Sequence, residues 1–177
     1  MTVYTLEQQR DNRQVLAAYL GNLPPDYQGF EMQDFFQSLS VIETRLKYRA
    51  SEVEYCALNQ AVEEAAAIAN QYARENGGVA KCGAVACAVG HGPSAGFLAV
   101  DSDFNEDGDI NWWKYRNRVF LSPLTPNGDE AFYFLFGGDW SAVDNTPQGA
   151  ARRLEYYDAF GIPDSFDSND PDTYHAI

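Results

Sequence analysis

Apolar residues return along this chain mostly at helical spacing, and polar capping residues stand where the runs begin. Thr5 and Gln8 form a capping-box pair, and Val15, Leu16, Tyr19 and Leu20 follow as one stripe that stops at Gly21. Pro24-Pro25 forces a turn, because neither ring nitrogen can donate to a helix. Met32, Phe35, Phe36 and Leu39 repeat the i, i+3, i+4, i+7 spacing of a short buried helix. Ser51 with Glu54 opens the longest predicted helix. Its apolar face runs through Leu58, Val62, Ala65, Ala69 and Tyr72 to a stop at Asn76-Gly77-Gly78.

The Gly- and Ala-rich run from Cys82 to His91 has the length of a short buried helix ending at Gly92-Pro93. Trp112 to Phe120 reads two ways: Trp112, Tyr115 and Val119 fit a helix, while Arg118–Leu121 fits a strand. Asp129 is placed to cap a segment carrying Phe132, Phe134, Leu135 and Phe136, which stops at Gly137-Gly138. The last helix has Thr146 as N-cap and Pro147 at its first position. Ala150, Leu154 and Tyr157 share one face, and Gly161 and Pro163 close it. Gly149 stands where a capping-box glutamate would fit, which implies a close neighbour, with Trp140 the expected contact. The Gly-Ala-Ala run would then be a seam against the cysteine segment. These elements predict a mainly α, compact single-domain helical fold over residues 1–163, with room for a short β element near 97–100 and 118–122. Beyond Pro163, Asp164, Asp167, Asp170 and Asp172 lie among Ser, Asn and Pro, so residues 164–177 read as an acidic, mobile tail.

Charge narrows the class. The 177 residues hold 26 Asp and Glu against 12 Lys and Arg, a net charge of −14. Such a field repels nucleic acid and anionic lipid and favours basic partners or cations. No apolar run approaches the roughly 18 residues of a membrane span, and Met1-Thr2-Val3-Tyr4 lacks the basic start of a signal peptide. Three cysteines, an odd number, read as reduced thiols in a cytosol. Eleven Tyr, eleven Phe and three Trp exceed what a minimal helical core needs, so some rings are expected at surfaces.

Two stretches carry candidate chemistry. Cys82, Cys87 and His91 fall within ten residues, and the last two share a helical face. They could ligate zinc or pair a thiolate with an imidazole, although zinc wants about four ligands. The competing reading makes Cys87 a small core residue and His91 a helix C-terminal cap. The second stretch follows an EF-hand loop: Asp103, Asn105 and Asp107 at its first three ligand positions, Gly108 at the turn and Asp109 offering a carbonyl. Lys114 occupies the place of the bidentate glutamate, so any calcium binding would be weak, and an acidic turn is the alternative. Trp140 is a further candidate binding residue, with core packing its competing role. No phosphate loop, serine-nucleophile elbow or zinc-protease helix motif is present, no catalytic residue is assigned, and no cofactor is expected beyond calcium or zinc at these two places.

Several segments together resemble a family of small phage- and prophage-encoded proteins. They are Leu23-Pro24-Pro25-Asp26-Tyr27 with Phe30-Glu31-Met32, the Cys82-Gly83 to Ala86-Cys87 to Gly90-His91 run, and Trp113 with Tyr115 and Phe120. Phe134-Leu135-Phe136-Gly137 with Trp140 follows, then Asp144-Asn145-Thr146-Pro147-Gln148-Gly149-Ala150-Ala151-Arg152-Arg153. The resemblance spans most of residues 12–163 and implies a phage setting, without bringing an established activity. The expectation that results is a non-enzymatic accessory protein of the host cytoplasm. It would bind a host factor with a basic surface, such as a defence component, by offering carboxylates where nucleic acid would place phosphates. The alternatives are a sequestering or hydrolytic small-molecule or metal site around Cys82, Cys87 and His91, and a structural, virion-associated role.

Overall fold

The computed structural model describes residues 4–24, 27, 30, 71, 72, 74–78, 87–106, 108–125, 127–137, 140 and 144–174. The fold is mainly helical, with α1 at Leu6–Gly21, α2 at Trp112–Val119, α3 at Gly128–Phe136 and α4 at Pro147–Phe160. Helix α1 lies along α4, α3 packs on α4, and α2 meets both α1 and the turn at Asp101–Asp103 that precedes it. The predicted helix at 32–39 and most of the long one opened by Ser51 fall outside the described residues. The end of the long helix is seen: residues 74 and 75 are helical, and the chain turns at Asn76 into Gly77 and Gly78, with φ of 63° and 89°.

Helix α1 starts as its sequence dictates. Thr5 Oγ1 accepts from the Gln8 N–H at 3.2 Å while the Gln8 side chain accepts from the Thr5 N–H at 2.9 Å. The buried face, however, is rotated from the apolar stripe. Val15 is 49% exposed, whereas Gln9, Asn12 and Arg13 are buried beside Leu16, Ala17 and Leu20. The reason lies at the C-terminus of α2, whose last carbonyls have no partner within the helix. Gln9 Nε2 donates to the carbonyls of Asn117 at 2.8 Å and Arg118 at 3.1 Å, and Asn12 Nδ2 donates to that of Val119 at 2.8 Å. Arg13 Nη1 donates to the Phe120 carbonyl at 2.6 Å, and Gln9 Oε1 accepts from the Ser122 N–H at 3.0 Å. One polar face of α1 thus caps α2, which allows that helix end to be buried.

The β element expected near 97–100 and 118–122 does not form. Residues 97–100 run irregularly, with the Ala99 N–H donating to the Gly77 carbonyl at 2.6 Å. Arg118 and Val119 belong to α2 instead, because Asn111 caps that helix by accepting from the Lys114 N–H at 3.0 Å and Tyr115 and Val119 bury one turn apart. Phe104 and Ile110 form an isolated antiparallel bridge. Helix α3 begins from Asn127, at φ 53°, and Asp129 sits in its first turn rather than at its cap.

The acidic segment after Pro163 carries two packed rings. Residues 164–174 return to the body, burying Phe166 and Tyr174 against Trp140. The Trp140 ring stacks on Phe166, with centroids 5.9 Å apart and planes 8° from parallel, and meets Tyr174 edge-on at 5.2 Å. The hydrophobic core therefore extends past the boundary read at residue 163.

Candidate functional site

Cys82 lies outside the described residues. Cys87 and His91 are only 1% and 5% exposed. The segment from Cys87 to Gly96 is a series of tight turns in place of the expected helix. The His91 N–H donates to the Cys87 carbonyl at 3.0 Å, and the Gly92 N–H to the Val89 carbonyl at 2.9 Å. Gly90 and Gly92 favour helix poorly and Pro93 has no N–H, so the run does not sustain a regular ladder. A Cβ on Gly92 would fall 2.4 Å from Tyr115 Oη and 2.8 Å from the Phe120 ring, so the glycine permits that close approach. The His91 imidazole is enclosed by Tyr19, Tyr27 and Phe30 with centroids at 6.1, 5.7 and 5.7 Å, the last nearly parallel at 12°. This places His91 within aromatic packing and Cys87 in the hydrophobic core.

The acidic loop is closed by its own groups. Asp103 is fully buried, and Arg118 Nε donates to both of its carboxylate oxygens at 3.0 Å. Burial opposes the Arg118 charge, but the hydrogen bonds and charge of Asp103 outweigh it and raise the guanidinium pKa further. The Val100 N–H adds a bond to Asp103 Oδ2 at 2.9 Å, and Asn105 Oδ1 accepts from the Asp109 N–H at 2.7 Å. Asp107 lies outside the described residues. Among those described, no three His, Cys, Asp or Glu side chains gather into a metal-holding group.

Trp140 carries the Arg153 guanidinium 4.4 Å above its ring. Arg153 is 2% exposed, and its Nη1 donates to the Asp144 carbonyl at 2.8 Å. Among the described residues its Nε and Nη2 have no hydrogen-bond partner, nor do Trp140 Nε1 and Asn145 Oδ1. Desolvation pushes the Arg153 pKa down to about 9, against the pull of Asp144 and with the help of Arg152.

Two further surfaces stand out, one that the sequence did not suggest and one that it showed only as an acidic run. The first is an open cleft of about 460 Å³ beside the C-terminus of α4, lined by Arg10 and Arg13 from α1 and by Tyr157, Asp158, Phe160 and Ile162. Arg13 crosses its floor: Nε donates to Asp158 Oδ1 at 2.8 Å, and the guanidinium lies 5.2 Å from the Tyr157 ring centre. Asp158 Oδ2 is buried and has no hydrogen-bond partner among the described residues. Burial raises the Asp158 pKa, while the Arg13 charge and hydrogen bond pull it down. Nothing in the sequence joins α1 to the end of α4, and polar residues on a helix normally read as its solvent face. The second surface is the segment 164–172, whose Asp164, Asp167, Asp170 and Asp172 are exposed above the Phe166 and Tyr174 anchors. Among the described residues no helix is long and apolar enough to cross a membrane. Comparison with protein-family models, curated proteins and solved structures finds no match.

Proposed function

We propose that this chain is a non-enzymatic accessory protein of phage type that acts in the host cytoplasm. It occupies a basic groove of a host protein, one that otherwise holds nucleic acid, with carboxylates in the phosphate positions. The observation that carries this reading is the direction in which the charges face. Among the described basic residues, Arg13, Arg116, Arg118 and Arg153 are buried. Exposed carboxylates stand at Asp101, Glu106, Asp109, Asp129 and along 164–172. Asp103 and Asp144 are buried as well, so the described surface loses two more cations than anions to the interior. With a net charge of −14 overall, such a field steers basic partners into contact. Anchoring by Phe166 and Tyr174 presents part of that charge on a packed segment, which lowers the ordering cost of binding.

The test is capture of host proteins at low and high salt, with the parent and with a variant carrying Asp164→Asn, Asp167→Asn, Asp170→Asn and Asp172→Asn. The captured protein should be lost as salt rises, lost with the variant, and displaced by duplex DNA added as competitor. A complex indifferent to salt and to the variant overturns the reading.

A further inference from the structure

We propose that Asn127-Gly128 is a site of spontaneous modification, at which the asparagine loses ammonia to its own backbone and leaves a carboxylate in the cleft beside α4. This site does not rest on the reading of the acidic surface. The chain holds two Asn-Gly pairs, at 76–77 and 127–128. Asparagine is thermolabile, and a following glycine offers a main-chain nitrogen with no Cβ to obstruct its approach to the side chain. The two pairs stand in different surroundings. The Asn76 amide is held, with Nδ2 donating to the Tyr72 carbonyl at 2.8 Å. Gly77 is fastened too, its carbonyl accepting from the Ala99 N–H at 2.6 Å. Asn127 is exposed, and its side chain makes no capping bond to α3. Gly128 carries the first N–H of that helix, one of the four that a helix leaves without an internal partner.

Backbone geometry favours reaction at Asn127 as well. The residue stands in the left-handed region, at φ 53° and ψ 38°, where a residue other than glycine is strained. Turning ψ to bring the Gly128 nitrogen to Cγ therefore leaves a strained state. It costs one terminal helix bond, from the Ala131 N–H to the Asn127 carbonyl at 2.8 Å. Base removes the Gly128 amide proton, and the nitrogen bonds to Asn127 Cγ. The Cγ–Nδ2 bond breaks, ammonia leaves with a proton from water, and a succinimide ring remains. Water then opens the ring. Cleavage of the Cγ–N bond gives aspartate, and cleavage between the nitrogen and the original main-chain carbonyl carbon gives isoaspartate. Either product carries one new negative charge. Asn127 lines the cleft with Arg10 and Arg13. The charge thus arrives in a cleft that holds two guanidinium groups, and at the N-terminus of α3, where the helix dipole favours an anion.

Incubation of the full chain in mildly alkaline buffer, followed by peptide mass mapping with isoaspartate detection, is the test. The peptide holding Asn127 should gain one negative charge, as a mixture of aspartate and isoaspartate, before the peptide holding Asn76 does. In guanidinium chloride both pairs lose their surroundings, and the lead of Asn127 should vanish. Gly128→Ala places a Cβ 3.6 Å from the Ser122 carbonyl oxygen, an ordinary contact, so the variant keeps the fold, as a thermal melt checks. Its methyl group should slow conversion of Asn127 to the rate of Asn76 or below and leave Asn76 unchanged. Absence of conversion at Asn127, a lead of Asn127 that survives denaturation, or a Gly128→Ala protein that converts at the parental rate overturns the proposal.

Discussion

Asp103 and Arg118 form a buried ion pair that fastens the acidic loop to α2, with both carboxylate oxygens taking the guanidinium Nε at 3.0 Å. Their side chains are 1% and 7% exposed, so removing one leaves the other charged and dry. Asp103→Ala should cost about 3–5 kcal/mol, and Arg118→Met a similar amount. The double variant should lose less than the sum, since it strands no charge. Urea denaturation in the presence of a chelator is the measurement. If Asp103→Ala matches the parent under chelation and falls behind only when calcium is added, Asp103 serves a metal and the pairing with Arg118 is secondary.

Gly149 is a second packing constraint. A Cβ there would stand 2.1 Å from the Asp144 carbonyl oxygen, the atom that also accepts from Arg153 Nη1. The close neighbour expected of this glycine is therefore backbone, and not the Trp140 ring. The α4 face beyond it meets α1, where the Gly21 Cβ position lies 3.8 Å from Ala151 Cβ. Even Gly149→Ala should destabilise by about 1–3 kcal/mol, overriding the roughly 1 kcal/mol of helix propensity that alanine gains. Thr146→Ala should cost about 1 kcal/mol through loss of its bond from the Gly149 N–H. A Gly149→Ala protein as stable as the parent would place this face in open space.

What was legible in the sequence was local. The Thr5 and Thr146 caps, the stop at Gly77-Gly78 and the helical spacing of Tyr115 and Val119 each depend on residues within a turn or two. The buried face of α1 was not legible, because Gln9, Asn12 and Arg13 are polar and their partners lie more than a hundred positions away. The packing of Phe166 and Tyr174 was hidden for a similar reason. Phe166 and Tyr174 show no periodicity, and they become anchors only once Trp140 is in place to stack on Phe166 and carry Arg153. The cleft shares this origin: Arg10 and Arg13 meet Tyr157 and Asp158 only because α1 lies along α4.

The cap that α1 places on α2 predicts an inverted mutational pattern on one helix. Gln9→Ala strips partners from the Asn117 and Arg118 carbonyls and from the Ser122 N–H. It should cost about 1–3 kcal/mol. Val15→Ala, at an apolar but 49% exposed position, should change stability by less than about 0.5 kcal/mol. Chemical denaturation of the two variants side by side decides the matter. A larger loss at Val15 would restore the apolar stripe as the buried face.

Arg153 predicts a pH dependence of definite sign. Burial holds its guanidinium pKa at about 9, well below the ordinary value that the unfolded chain keeps. Above about pH 9 the folded state releases this proton while the unfolded state retains it. The unfolded state then binds more protons, so the contribution of Arg153 to stability rises with pH. At neutral pH the charge is a burden, dry and with Nε and Nη2 unbonded. Arg153→Met keeps an apolar stem against Trp140 and removes that charge, so at neutral pH the variant should equal or exceed the parent in stability. Its advantage should shrink as the buffer moves from neutral to about pH 10, where the parent sheds the buried proton. Tyrosine ionisation is common to both proteins and cancels in the difference. Urea titrations at the two pH values give that difference directly. A variant several kcal/mol less stable at neutral pH would mean that the guanidinium is a net stabiliser through its stacking on Trp140 and its bond to the Asp144 carbonyl.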